Sequence, residues 1–322
     1  MVRTRCYRDG KLHAEGFPVG EVSEHLRDPD VAVWFDLCAP DASALELIRD
    51  ELGLHALAVE DALQAGQRPK LDHYPEHLFV VAYAVQVDRD TGVLNAHEVN
   101  VFVTSTAMVT VHGAGFDIDA LVSRWDAQSN LAGNGVGFLM HGLLDVVVDT
   151  QFDAVQALDE EVDALEDRLF DEVTSDAAMQ RRSFELRKTL VHLRRLVLPM
   201  REVVNALMRR DLDIVDDHLM PYYQDVYDHV LRVSEWTDSL RDLISNIQET
   251  RLTVRGNRLN VIMKQVTSWA AIIAVPTAVT GFYGQNVPYP GFAQHWGFWS
   301  STVVMLGLSG FLYFMFRRKD WL

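Results

Sequence analysis

The 322-residue sequence predicts an α+β membrane protein with an N-terminal α/β domain, a long helical stalk and two C-terminal transmembrane helices. Strand-like and helical segments alternate in the first third of the chain, and helical periodicity continues from about residue 137. Residues 265–316 contain no Asp, Glu, Lys or Arg. Because a bilayer span needs roughly 20 apolar residues, this charge-free run has room for two spans and a short connection.

Residues 1–136 are expected to form the α/β domain. Two segments with helical spacing, 41–53 and 56–66, lie between segments that are rich in Val, Phe and Tyr and therefore typical of strands. The sequence DRDTG, which ends at Gly92, predicts a turn between two strands. The strand-like segments are VAVWFDL (31–37), HLFVVAYAVQV (77–87) and EVNVFVTSTAMVTVH (98–112). Since we find no Gly-rich phosphate loop, nucleophile–base pair or HExxH motif, we do not expect an enzyme.

Residues 137–264 are expected to form the stalk. Residues 141–180 carry twelve acidic side chains and one basic one, whereas 181–210 carry nine basic and two acidic side chains. An acidic helix followed by a basic helix is typical of an antiparallel hairpin with cross-helix ion pairs, although two solvated faces would have the same composition. A third helix begins near Pro221 and meets no strong breaking signal before Tyr283, which predicts a length of roughly 95 Å.

The transmembrane domain is expected at residues 265–322. Its first span covers 265–283 and its second 296–316, and the loop 284–295 between them contains two prolines and two glycines. Basic residues flank both spans, so the positive-inside rule predicts that both termini are cytoplasmic and that the loop is external. The basic residues are Arg251, Arg255, Arg258 and Lys264 before the first span, and Arg317, Arg318 and Lys319 after the second.

Two spans per chain cannot enclose an aqueous path, so a transport function needs several copies around an axis. The third helix has one face of small or mildly polar, uncharged residues at spacings of three and four. This face predicts either the lining of a pore or close helix packing in lipid. Its members are Asn260, Met263, Val266, Ala270, Ala274, Thr277 and Gly281.

The sequence YGQN (283–286) resembles the signature of the CorA family of divalent-cation transporters, in which a Gly-Met-Asn triplet, usually preceded by Tyr, follows the first of two C-terminal spans. Three further segments resemble the family in the same order along the chain. They are LAVEDALQAGQRPKLDHY (57–74), YYQDVYDHVLRV (222–233) and NRLNVIMKQVTSWAAIIAVPT (257–277).

The resemblance implies a homopentamer that transports Mg²⁺, and also Co²⁺, across the plasma membrane and that is gated by cytoplasmic metal. It implies a selectivity filter at Gly284, Gln285 and Asn286. It also implies a pore lined by five residues of the face, with a hydrophobic constriction near Met263 and Val266, and these five are Asn260, Met263, Val266, Ala274 and Thr277; with Ala270 and Gly281 from the spacing, all seven are candidate pore-lining residues. It also implies a regulatory intersubunit metal site at Asp88 and Asp225.

The resemblance further implies that Mg²⁺ is both cargo and regulator, with no organic cofactor. The expected partners are divalent cations, membrane lipid and further copies of the chain. Nucleic acid is not expected, because 46 acidic residues against 29 basic ones give a net charge of −17.

Two departures from the family pattern leave alternatives open. Gln285 occupies the position of the signature Met, and the loop 284–295 has no acidic residue. A transporter of Zn²⁺ or another transition metal with the same fold is therefore an alternative, in which His295 is the candidate soft ligand. A membrane-anchored coiled-coil sensor without a pore is an alternative from another class, but it leaves the two spans and YGQN unexplained.

Overall fold

The computed structural model describes residues 2–26, 28, 31–40, 42–89, 91–168, 176–209, 212, 214–285 and 287–322. The chain divides into two compact units, Met1–Asn246 and Ile247–Leu322. The first unit contains a seven-stranded sheet and several helices, and the second contains the long apolar helices.

The sheet has the strand order β2-β1-β3-β7-β6-β5-β4, and β3 and β7 are its one parallel pair among the described strands. The strands are β1 (Val2–Arg8), β2 (Lys11–Glu15), β3 (Val31–Cys38), β4 (Lys70–His73), β5 (Leu78–Val87), β6 (Leu94–Val103) and β7 (Ala107–His112).

The predicted strands at 31–37 and 77–87 are confirmed, and Gly92 lies with a φ of 68° in the turn that joins β5 to β6. Residues 98–112 do not form one strand, because Thr104 closes a tight turn between β6 and β7. Its hydroxyl accepts a hydrogen bond from Ala107 N at 2.9 Å, and its N–H donates to Ala107 O at 2.8 Å.

The helices are α1 (Val22–His25), α2 (Ala42–Leu52), α3 (Ala56–Leu63), α4 (Ile118–Ala127), α5 (Gly135–Asp167), α6 (Asp176–Leu207), α7 (Met220–Tyr283) and α8 (His295–Arg318). The predicted third stalk helix is α7, which has 64 residues and contributes to both units. Pro221 lies in its first turn, where the missing N–H costs no intrahelical hydrogen bond. Pro199 lies inside α6 and does not end that helix.

The core of the first unit forms where the N-terminal half of α5 packs against the sheet. Trp125 of α4 is buried there, its indole N–H donates to Leu139 O at 3.1 Å, and its ring meets Trp34 edge-on at 4.8 Å. A Cβ at position 142 would collide with the Trp125 ring, which explains the glycine in the middle of a helix. Relative to alanine at position 125, the buried tryptophan contributes about 3–5 kcal/mol to the free energy of unfolding.

Charged side chains join the stalk helices. Arg182 of α6 pairs with Glu161 of α5 at 2.6 Å, so the predicted pairing across an acidic–basic hairpin is confirmed. Arg194 of α6 pairs with Asp238 of α7 at 2.6 Å, and the Trp236 indole N–H donates to Asp159 at 3.3 Å. These contacts connect all three helices within the first unit.

Among the described residues, three helical segments are long and apolar enough to cross a membrane: Ser129–Asp167, Met220–Tyr283 and His295–Arg318. The apolar part of the first is 78% buried inside the structure, so this segment belongs to the core. The apolar parts of the other two segments are 6% and 0% buried. These two segments contain the predicted spans 265–283 and 296–316. A helix that is apolar and uncovered on all sides requires lipid or further copies of the chain around it.

A buried ion pair links β3 to β7. His112 Nε2 lies 3.0 Å from Asp36 Oδ1, with both side chains 2% exposed, and His112 Nδ1 lies 2.7 Å from Gly113 O. The Thr110 hydroxyl donates to the same carboxylate at 2.6 Å. Burial by itself lowers the pKa of His112, but acceptors at both ring nitrogens favour the imidazolium, and the net shift of its pKa is upward.

We expect this pair to make stability depend on pH. A histidine whose pKa is raised by folding stabilises fully below its unfolded pKa, near 6.5, and loses that contribution as pH rises through the folded value. His112→Gln should therefore lower the apparent melting temperature by about 5 °C at pH 6 and by less at pH 9. Thermal unfolding of the full-length protein in detergent measures this, with His13→Gln on exposed β2 as the control. An equal loss for His112→Gln at both pH values would contradict the assignment.

Candidate functional site

The seven residues of the predicted pore face all lie on α7 and are all exposed in the single chain, Met263 by 66% and Val266 by 62%. Residues on other sides of the helix, such as Val261 and Trp269, are exposed too. Exposure therefore does not single out this face. What distinguishes it is chemistry, because its members are uncharged and five of the seven carry a small, amide or hydroxyl group. The Thr277 hydroxyl donates to Ile273 O at 3.1 Å, which satisfies its proton within the helix and leaves its oxygen free to accept.

The predicted filter begins where α7 ends. The N–H groups of Gly284 and Gln285 donate to Thr280 O at 2.8 Å and Phe282 O at 3.3 Å, so the chain leaves the helix through tightened turns. A Cβ at position 284 would lie 2.9 Å from Thr280 O, and glycine avoids that contact. Gly284 and Gln285 are exposed, and Asn286 lies outside the described residues.

The loop after the filter is organised by aromatic rings and by one close backbone contact. Tyr289 packs edge-on against Tyr283 at 5.0 Å and Phe292 at 5.3 Å. Gly291, with a φ of 91°, lies against Gly297 of α8, and a Cβ at position 297 would collide with the Gly291 carbonyl oxygen. The loop is thereby fixed to the start of α8.

His295, the candidate soft ligand, is the first residue of α8 and is exposed. It lines a cavity of about 540 Å³ between the ends of α7 and α8, together with Tyr283, Gly284 and Gln294. No group of three or more His, Cys, Asp or Glu side chains capable of holding a metal occurs among the residues that the structure describes. His295 therefore has no preformed set of co-ligands in one chain.

Asp225 lies in the part of α7 that belongs to the first unit. Its side chain is 70% exposed, and its carboxylate lies 3.7 Å from His229 Nδ1, one helical turn away. The carboxylate is thus open to a further ligand on its solvent side.

Asp88 lies in the turn between β5 and β6. Its carboxylate accepts from Thr91 N at 2.9 Å, and its carbonyl accepts from Gly92 N at 2.7 Å, so the residue shapes the turn itself. The turn rests on α6, where the Arg182 guanidinium donates to Thr91 O at 3.2 Å. Asp88 has this structural role whether or not it binds a metal.

Sequence reasoning missed a buried histidine, His141, that packs against the turn of α7 before Asp225. His141 of α5 is buried with ring contacts of 5.7 Å to Tyr222 and Tyr223 of α7. Burial lowers the pKa of His141, while the nearby carboxylates of Asp145 and Asp225 act in the opposite direction. In the sequence, His141 is visible as a lone histidine in the apolar run GFLMHGLLDVVV (137–148). Its contacts could not be predicted, because the residues that surround it come from other helices.

Comparison with known proteins agrees with this architecture. Residues 29–318 match the family described as CorA-like Mg²⁺ transporter protein. The chain is 26% identical over 302 residues to the cobalt/magnesium transport protein CorA of Thermotoga maritima, covering 92% of this chain and 85% of that protein. It is 30% identical over 301 residues to the putative metal ion transporter YfjQ of Bacillus subtilis, covering 92% of each.

The structure also resembles the complete CorA magnesium transporter from Methanocaldococcus jannaschii, with a TM-score of 0.79 and 21% identity over 99% of this chain and 98% of that one. At this identity the likeness shows the fold, and it extends over the sheet, the long helices and the two C-terminal apolar helices. The resemblance inferred from YGQN and the neighbouring segments is thereby confirmed, and the chain belongs to the CorA-like Mg²⁺ transporter family.

Proposed function

We propose that this chain transports Mg²⁺, and also Co²⁺, across the plasma membrane as a homopentameric, channel-like pore. The observation that carries the proposal is the match of residues 29–318 to the family of Mg²⁺ transporters. The name of the Thermotoga maritima relative, a cobalt/magnesium transport protein, supports the same ions.

In the proposed assembly, the small and polar face of α7 surrounds the axis. The face carries no charge over its whole length, so a divalent ion crosses the membrane without meeting a group that holds it strongly. Met263 and Val266 would form the narrow apolar part, where loss of water closes a pore. Asn260 would lie on the cytoplasmic side of this constriction.

The proposed filter consists of neutral oxygens from Gly284, Gln285 and Asn286. Magnesium gives up its water reluctantly and requires octahedral geometry. Amide and backbone carbonyl oxygens hydrogen-bond to the water shell of the ion without removing it. Gln285 adds an amide at the position of the signature methionine, which is compatible with a hydrated ion.

The proposed orientation places both termini in the cytoplasm. Basic residues precede the first span, at 251–264, and follow the second, at 317–319, while loop 284–295 has none. Trp296 and Trp299 of α8 are exposed next to this loop, where an aromatic belt would lie at the outer interface.

The proposed gate uses Asp225 of one subunit and Asp88 of a neighbour as a cytoplasmic Mg²⁺ site. Bound metal would bridge subunits and keep the pore shut when Mg²⁺ is plentiful. Loss of metal would leave carboxylates facing each other, whose repulsion loosens the closed ring.

Asn286→Ala should reduce Mg²⁺ uptake into proteoliposomes at least about tenfold, because it removes the side-chain carbonyl that orders the hydrated ion. Gln294→Ala, which removes an amide from the same loop, is the matched control and should transport normally. Size-exclusion chromatography checks that both variants keep the wild-type assembly. Normal uptake by Asn286→Ala would contradict the filter assignment.

The same assay identifies the ion when Mg²⁺ and Zn²⁺ are measured separately, each with and without hexammine cobalt. Mg²⁺ entry that the inert complex blocks supports a hydrated-ion filter. Zn²⁺ entry without that block would overturn magnesium as the substrate, and absence of flux for either ion would favour the pore-less sensor.

Asp225→Asn should raise the cytoplasmic Mg²⁺ concentration needed for half-inhibition of the current by at least about fivefold, because the bridging carboxylate is lost. Asp242→Asn is the matched control, since its side chain lies on the same helix and is also 70% exposed. Patch recordings of both variants measure the inhibition. Unchanged inhibition of Asp225→Asn, or an equal change in both variants, would contradict the regulatory site.

Gly297→Ala should lower uptake at least about threefold, because a Cβ there displaces the Gly291 carbonyl and with it the loop that follows the filter. Gly310→Ala on the same helix is the control, since a Cβ at 310 meets no atom within 4 Å. Uptake by the two variants is compared at equal amounts of assembled protein. Wild-type uptake by Gly297→Ala would show that the loop contact does not position the filter.

A further inference from the structure

A large cavity in the first unit has no part in the proposed transport path. It has a volume of about 1120 Å³ and is open to solvent. Its walls come from three places: residues 65–69 between α3 and β4, the beginning of β6 at 94–98, and residues 192–199 of α6.

Positive side chains dominate the walls. Three guanidiniums and two imidazoles face one carboxylate, in a chain whose net charge is −17. The cavity is therefore a local reversal of the overall charge. The charged and titratable lining residues are Arg68, His97, Glu98, His192, Arg194 and Arg195.

The one carboxylate is occupied by contacts within the wall. Glu98 Oε2 accepts from Gly66 N at 2.6 Å and from the Tyr83 hydroxyl at 2.8 Å, and Glu98 Oε1 accepts from Asn100 at 3.2 Å. Glu98 thus holds the segment at 66 against the sheet and does not neutralise an arginine across the cavity.

Two of the three guanidiniums are free. Arg194 pairs with Asp238 of α7 at 2.6 Å. Arg68 and Arg195 form no hydrogen bond or ion pair with any residue that the structure describes. The small residues Gly66 and Gly113 leave open space beside them, because a Cβ at either position would meet nothing within 4 Å.

We propose that this cavity binds a phosphate-chain anion, either an inorganic polyphosphate or the phosphate tail of a nucleotide. Guanidinium groups match phosphate oxygens in pairs of parallel hydrogen bonds. The two free arginines come from different segments of the wall, which suits a ligand with several phosphates. The volume is that of a site for a molecule of nucleotide size, far larger than one phosphate ion requires. The cavity lies in the first unit, so binding there does not depend on ion conduction.

The test measures binding to the full-length protein in lipid nanodiscs by isothermal titration calorimetry, with EDTA present so that chelation of Mg²⁺ does not contribute. The probes are sodium tripolyphosphate, ATP, orthophosphate and citrate. Tripolyphosphate and ATP should bind, and orthophosphate and citrate should bind at least about tenfold more weakly. Equal affinity for tripolyphosphate and ATP identifies the phosphate chain as the ligand, and tighter binding of ATP identifies a nucleotide.

Arg195→Gln and Arg68→Gln should each weaken tripolyphosphate binding roughly 10- to 100-fold, because each removes charged hydrogen bonds to the ligand. Arg187→Gln is the matched control: Arg187 is exposed on the same helix as Arg195 but outside the cavity, and the net charge changes equally. Neither free arginine forms a hydrogen bond or an ion pair with a described residue, so the fold should survive, which circular dichroism checks.

Three results would overturn the proposal. The first is the absence of tripolyphosphate and ATP binding to the wild type, as when a neighbouring copy fills the cavity in the assembly. The second is equal weakening by Arg187→Gln, which would show general attraction to a basic helix. The third is citrate binding as tight as tripolyphosphate binding, which would show that any polyanion suffices.

Discussion

The absence of charge from residues 265 to 316 is the constraint on which the rest of the structure depends. In hydrocarbon, every backbone N–H and C=O must find a partner within its own segment, and a helix achieves this. The hydroxyls follow the same rule: Ser268, Thr277 and Thr302 donate to the carbonyl four residues earlier in their own helix. These three hydroxyls are therefore satisfied locally, whereas the Ser309 hydroxyl of α8 has no hydrogen-bond partner among the described residues. The uncovered sides of the helices are left for lipid and for further copies.

Charge is concentrated in the first unit, where it organises packing. Arg124 of α4 pairs with Asp145 at 2.8 Å and also with Asp149, both on α5. Arg5 is almost buried in β1 and lies 2.7 Å from Asp126 and 2.8 Å from Glu15. An isolated buried guanidinium would be costly, so each of these arginines has two carboxylates. The 46 acidic residues outnumber the 29 basic ones, yet several exposed arginines, Arg68 and Arg195 among them, form no hydrogen bond or ion pair with the residues that the structure describes.

The local sequence pattern predicted most of the helices and the central strands but not the strands at the edges of the sheet. The long helix α7 and both apolar spans follow from periodicity, Pro221 and composition, all of which act within one segment. Strands β1, β2 and β4 were missed because their polar sequences lack the run of Val, Phe and Tyr that predicts a strand. β1 also depends on a distant contact, since Asp126, the partner of its Arg5, lies 121 residues away. Helical spacing grouped the proposed pore residues on α7 but left open whether they line a pore or pack in lipid. The role of Asp225 came only from the family resemblance, because an intersubunit metal site requires more than one chain.

The proposed separation of neutral oxygens in the filter from acidic oxygens at Asp225 would explain physically how one chain both conducts and senses the same ion. Two unit charges 4 Å apart interact by about 4 kcal/mol at an effective dielectric constant of 20, and the attraction doubles for a divalent ion. A ring of carboxylates in the filter would therefore slow the release of Mg²⁺ by several orders of magnitude. The neutral oxygens of Gly284 and Gln285 avoid this in the proposed pore, where passage must be rapid. In the proposed gate, Asp225, which is exposed on the part of α7 in the first unit, would offer the stronger attraction that a persistently bound ion needs.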